Sequence, residues 1–270
     1  MLLQGENEKN EKTEYHLFAT EEANHCGMTR WKSNSQVIHA VAASPGGPYT
    51  RVGLALPFAT NPSVFFDATA KVYRMLVLPT GRAGKQTNCT SPHTHFPAKE
   101  AELILPLLRF SSSVSSSPSI NIQNESNISR QLFVSTSLNG PWTASITSDI
   151  PPCNNPSGAI HPHTGAAWLL CHGPSPKGYG PGIFIHNATS WSTATSWSAW
   201  SGGYDILRGV VGEGVREGAC EDPSLSIDPR TGYFHVLAHC YSTTAFNGTD
   251  PGKAYCAGHI WSRDGTPGTY

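Results

Sequence analysis

The chain has 270 residues, with 18 Lys and Arg against 19 Asp and Glu, a net charge of −1 and a pI near 6.9. That balance excludes the basic footprint of a nucleic-acid binder, and no apolar run approaches the ~20 residues that a membrane-spanning helix needs. Charged residues make up 14% of the chain, against about 25% in an average soluble protein, and Gly and Pro are abundant. Such a composition fits many short strands joined by tight turns.

In chain order, residues 1–12 read as a polar leader lacking the apolar stretch of a signal peptide, and residues 15–19 as the first strand. A β-rich run at 37–43 leads into Ser44-Pro-Gly-Gly-Pro-Tyr-Thr50. This turn recurs after 131–136 as Ser137-Leu-Asn-Gly-Pro-Trp-Thr143, and after 257–261 in the degraded form Ser262-Arg-Asp-Gly265. A second motif interleaves with it. Asn155-Pro-Ser-Gly-Ala-Ile-His-Pro-His-Thr-Gly165 and Asp222-Pro-Ser-Leu-Ser-Ile-Asp-Pro-Arg-Thr-Gly232 share six residues at one constant offset. The offset extends to Leu170 with Leu237 and to His172 with His239. Asn61-Pro-Ser-Val-Phe-Phe-Asp-Ala-Thr-Ala-Lys71 is a weaker copy. Each copy reads as strand, turn, strand, with Pro-x-Thr-Gly supplying the turn in the two stronger copies.

Repetition of a multi-strand unit at such spacing predicts an all-β propeller in a single domain spanning 1–270, with about four blades beginning near Tyr15, Asn61, Asn155 and Asp222. A five-bladed ring would then be incomplete, so the sequence reads as a fragment. Two polar, Ser- and Thr-rich stretches, 79–100 and 110–130, read as inserts within 79–130. Residues 189–200 nearly repeat themselves and carry three tryptophans, expected to pack between blades rather than against a sugar.

Five Asn-x-Ser/Thr sequons, at Asn88, Asn124, Asn127, Asn187 and Asn247, point to a secreted glycoprotein. The seven cysteines are compatible with disulfides and leave the pairing open. No Cys-x-x-Cys pair, phosphate-binding loop or dinucleotide fingerprint occurs. His93-x-His95 reads as an exposed loop rather than a metal site, so no cofactor and no metal are expected.

Several short motifs, in order, carry a family resemblance: Tyr15-His-Leu-Phe18, Glu22-Ala-Asn-His-Cys-Gly27, Trp31-Lys-Ser-Asn-Ser-Gln-Val-Ile-His-Ala40, the Gly-Pro-aromatic-Thr turns, and Cys220-Glu-Asp-Pro223. The chain resembles the five-bladed β-propeller superfamily of glycoside hydrolase families 43 and 32, the arabinanase, levansucrase and invertase group. The resemblance implies three convergent carboxylates: a base or nucleophile, a carboxylate that tunes the site, and a general acid that must stay protonated. Glu221, two residues before Pro223, matches the Glu of the Glu-x-Pro element, with Asp222 the alternative. Asn155 and Asn61 stand at the equivalent places, where they can hold sugar hydroxyls but cannot act as a base. Glu22, His25 and Trp31 fall in the loop that would line the pocket. No acid matches the base.

The function implied is hydrolysis of O-glycosidic bonds in an oligo- or polysaccharide. The alternatives are a non-catalytic carbohydrate-binding propeller and an inactive truncated homologue. No nucleic-acid or membrane partner is implied, and nothing in the sequence fixes an oligomeric state.

Overall fold

The computed structural model describes residues 2–7, 12–27, 30–80, 89, 131–145, 150, 151, 153–174, 181–192, 197–199, 206, 215–242 and 255–266. The described chain is nearly all β, in four antiparallel sheets of consecutive strands. This is the blade-like arrangement expected of the repeat. The histidines 93 and 95, the sequons at Asn88, Asn124, Asn127 and Asn247, and most of the 79–130 inserts lie outside the described residues.

Two compact units are present, Met1–Phe66 with Val72–Ala144, and Asp67–Lys71 with Ser145–Tyr270. The first holds sheet A, formed by β1 (Leu2–Asn7), β2 (Lys12–Glu22), β3 (Ser35–Ala42) and β4 (Thr50–Pro57). It also holds most of sheet B, formed by β5 (Ala59–Asp67), β6 (Val72–Pro79), β7 (Leu132–Ser135) and β8 (Thr143–Ala144). Strand β1 corrects the reading of a polar leader. Its LLQGEN sequence has no clean alternation, and it is specified instead by its ladder with residues 12–17 of β2. A short 3-10 turn, Ala23–His25, and one helical turn, α1 (Trp31–Asn34), connect β2 to β3.

The second unit holds sheet C, with β9 (Asn154–Ile160), β10 (Ala167–Pro174), β11 (Pro181–Ala188) and β12 (Ser198–Ala199). Sheet D is formed by β13 (Val215–Ile227), β14 (Phe234–Ser242) and β15 (Tyr255–Ser262). Alternation along the strands builds the core of this unit. Trp168, Leu170, Ile183 and Ile185 of sheet C pack against Leu225, Phe234, Val236 and Ala238 of sheet D. Trp191 is 1% exposed and donates its indole N–H to the Ala159 carbonyl at 3.0 Å. Its ring meets Trp197 edge-on, so these two indoles are structural.

The repeat is visible atom by atom. Asp67, His161 and Asp228 stand at one repeat position, and each accepts two backbone N–H bonds that close the following turn. Asp67 Oδ1 takes Thr69 and Ala70, and Asp228 Oδ1 takes Arg230 and Thr231. In His161 the Nδ1 does the same work, accepting from His163 and Thr164 at 3.3 Å. Four residues later Lys71, Gly165 and Gly232 all adopt a left-handed backbone, with φ of 53°, 72° and 75°.

Gly165 and Gly232 separate backbone strain from steric clash. Among the described residues a Cβ on Gly165 meets nothing within 4 Å, whereas one on Gly232 meets His161 Nε2 at 3.1 Å. Gly165→Ala is expected to cost about 1 kcal/mol through φ alone. Gly232→Ala should cost measurably more in the same urea titration, and equal costs would contradict the His161 contact.

The disulfides pair Cys26 with Cys89 and Cys153 with Cys171, and Cys220 is disulfide-bonded as well. The first closes a loop 63 residues long, so it restricts the unfolded chain strongly.

Candidate functional site

The best-defined cluster of chemistry in the second unit is built by the repeat. Asn155 and Asp222, each immediately before Pro, have φ of 47° and 52°, and Asn61 has 52°. Asn and Asp are the non-glycine residues that tolerate this region best. Backbone conformation alone therefore accounts for finding only these types at the position.

A β-bulge accompanies it in both sheets of this unit. In sheet C the register passes from Ser157↔Leu170 to Asn154↔His172, and in sheet D from Ser224↔Leu237 to Glu221↔His239. The two irregularities coincide at the repeat offset. Bulges re-aim side chains, and here each sets a histidine of the second strand opposite the residue that precedes the Asx-Pro pair. Sheet C carries uncharged Asn154 at that point, where sheet D carries Glu221. The first two residues of sheet D's Glu-Asp-Pro run are thus inside β13, not at a strand entry.

The sheets converge on Asp222. Asn155 Nδ2 donates to Asp222 Oδ1 at 2.7 Å, and His239 Nδ1 lies 3.9 Å from Asp222 Oδ2. One ligand atom each from Glu221, Asp222 and His239 lies within 4.8 Å of the others, so this N/O set is sized for a single cation. Glu221 is half-buried. Burial pushes its carboxyl above the ordinary glutamate range, the neighbouring Asp222 charge adds to the rise, and His172 and His239 oppose it. A carboxyl whose affinity for its proton is raised beside a second carboxyl is suited to general-acid work.

The sequence reading sets His172 and His239 aside from the candidate site. Their matching repeat positions argue for structural roles, yet both act on the same carboxyl. The signal was the repeat offset itself, which brings equivalent residues of adjacent sheets together.

Glu22, His25, Trp31 and Asn61 belong to the first unit. Glu22 ends β2; its Oε1 accepts the Ser35 hydroxyl at 2.8 Å, while its Oε2 is buried without a hydrogen-bond partner among the described residues. Burial raises this carboxyl, and the Ser35 bond partly offsets the rise. Asn61 donates its backbone N–H to Thr20 Oγ1 at 3.0 Å, two residues from Glu22, and its Oδ1 accepts from Thr60. Trp31 opens α1 half-buried, with Lys32 Nζ 5.5 Å above its ring. His25 closes the 3-10 turn.

No family model matches the chain. No curated protein matches it either. Among solved structures it is similar to an endo-1,4-beta-xylanase from Bacteroides thetaiotaomicron, with TM-score 0.49 and 11% identity, covering 93% of this chain and 66% of that one. It is similar to an exo-beta-1,3-galactanase from Phanerochaete chrysosporium, with TM-score 0.49 and 15% identity, covering 97% of this chain and 45% of that one. A GH43 protein from Bacillus licheniformis gives TM-score 0.47 and 12% identity, covering 88% and 36%. The chain thus spans less than two thirds of the length of each. At these identities and TM-scores the likeness assigns no residue role and no activity.

Proposed function

We propose that the chain is a glycoside hydrolase-like protein of the propeller class acting on an oligo- or polysaccharide, with Glu221 as general acid. The observation that carries this reading is the Glu221–Asp222 pair. It is set on a bulge, half-buried at Glu221, and bonded through Asp222 to Asn155 of the neighbouring sheet. Glu221 gives its proton to the departing glycosidic oxygen as the anomeric C–O bond breaks, and water adds to the anomeric carbon and releases a proton that restores Glu221. Burial together with the Asp222 charge raises the affinity of Glu221 for that proton beforehand. Asn155 fixes the Asp222 carboxylate. On this reading Asn61, Glu22, His25 and Trp31 are substrate-binding candidates.

The disulfides support folding in an oxidising, secretory-type compartment. Asn187, on β11, is the one sequon among the described residues. Among these residues no helix is long and apolar enough to cross a membrane.

A carbohydrate-binding module without turnover is the second reading. It is favoured by Asn154 and Asn155 at the places where sheet D carries Glu221 and Asp222. Reducing-end release from arabinosyl, xylosyl, galactosyl and fructosyl polymers, compared between the wild type and Glu221→Gln, separates the two. Release that depends on Glu221 supports the enzyme. Retention on a polymer with no release supports the binding module.

A further inference from the structure

Sheets A and D each contain a pair of stacked histidines joining two adjacent strands. In sheet A, His16 Nδ1 lies 2.9 Å from His39 Nε2, with the rings 9° from parallel. In sheet D, His235 Nδ1 lies 3.1 Å from His259 Nε2, with the rings 10° from parallel. The same two nitrogens meet, and in both sheets the second ring stands on the strand following the first. The surroundings differ. His16 and His39 are 5% and 4% exposed and His39 stacks on the buried Phe18. The His235–His259 pair is open to solvent, on a face that also exposes Leu237 and Trp261.

We propose that His235 and His259 form a surface site for one divalent transition-metal ion of the zinc, copper or nickel class. Neutral imidazole is a preferred ligand for these ions. With metal–nitrogen bonds of about 2.0–2.1 Å, two ligands stand about 2.9 Å apart at a right angle and about 3.3 Å apart at the tetrahedral angle. The observed separation of 3.1 Å lies between these values. The ladder between β14 and β15 sets it, pairing His235 with Trp261 and Leu237 with His259. The two backbones are therefore positioned before an ion arrives, which removes much of the ordering cost of chelation.

In the apo protein the two nitrogens share one proton. Metal binding moves that proton, by exchange with water, to the far nitrogen of its own ring, so that both imidazoles stay neutral, and requires a modest turn of both rings so that both lone pairs meet the ion. The open face permits the turn, and water completes the coordination shell. The buried copy in sheet A lacks that freedom. Along the sequence the ligands are 24 residues apart, outside the short spacings by which metal sites are recognised.

The test is calorimetric titration of the full chain with NiCl2 and with CuCl2, alongside His235→Ala, His259→Ala, His239→Ala and a His93→Ala/His95→Ala double variant. Binding at one site should weaken at least tenfold in each of the first two variants and remain in the others. Copper should also quench tryptophan fluorescence, with the quench reduced in Trp261→Phe. Unchanged binding in His235→Ala and His259→Ala would overturn the assignment. So would loss of binding in His239→Ala, which places the ion beside Glu221, or in the double variant, which places it at residues 93 and 95.

Discussion

Glu221→Gln is expected to lower turnover of a natural polysaccharide by about 10²–10⁴, the usual contribution of a positioned general acid. The loss should depend on the leaving group. A sugar leaves as a strongly basic alkoxide unless it is protonated as the bond breaks. An aryl leaving group such as nitrophenolate departs with little assistance. The variant should therefore retain much more activity on an activated aryl glycoside than on the polymer, while KM changes little in both cases. Glutamine preserves the shape of the side chain and removes the transferable proton. An equal loss on both substrates would assign Glu221 to binding or folding, and undiminished polymer turnover would remove it from the reaction.

Acidification should destabilise the fold through the His16–His39 pair. Burial is the largest cause of the low His39 pKa, about 4, and the adjacent His16 adds to it. Burial also lowers His16, with Glu14 opposing. Since the folded pKa lies below the unfolded value of 6.5, the neutral pair contributes its full stability above pH 6.5. That contribution falls as pH drops towards 4, because the unfolded chain takes up the proton first. At about 1.4 kcal/mol per pKa unit the loss is on the order of 3 kcal/mol for His39. Urea midpoints measured from pH 7 to pH 4.5 should fall steeply for the wild type and less steeply for His39→Gln. If that variant does not fold, the imidazole Cε1–H resonances of the wild type report the same property. A His39 midpoint near 6.5 would contradict the burial argument.

These two groups differ in how far the sequence reveals them. Glu221 is legible because Pro223 anchors the repeat and marks the acids ahead of it. The pair His16 and His39 is not. Alternation places His16 and Phe18 on one face of β2, but the partner is 23 residues away. Their contact depends on the β2–β3 register, which no local pattern specifies. The repeat predicted the strand-turn-strand units because its turn chemistry is local: an acceptor at Asp67, His161 or Asp228 and a left-handed residue four positions on.

The bulges at Asn154 and Glu221 were hidden for the opposite reason. An extra residue in a strand leaves the composition unchanged and shows only in the pairing. Strand β1 was likewise specified by its partner rather than by its own residues. Side-chain chemistry suggests a role for Asn61, Asn155 and Asp222, and their shared positive φ adds a backbone reason for the same residue types.

Burial and the neighbouring Asp222 charge raise the proton affinity of Glu221, the property on which its proposed role as general acid rests. The most direct test is a carbon-13 NMR pH titration of the Glu221 side-chain carboxyl in the wild type and in Asp222→Asn. The wild-type midpoint should lie above the ordinary glutamate range and move down when the Asp222 charge is removed. A wild-type midpoint at or below that range, or one indifferent to Asp222→Asn, would remove Glu221 as the general acid.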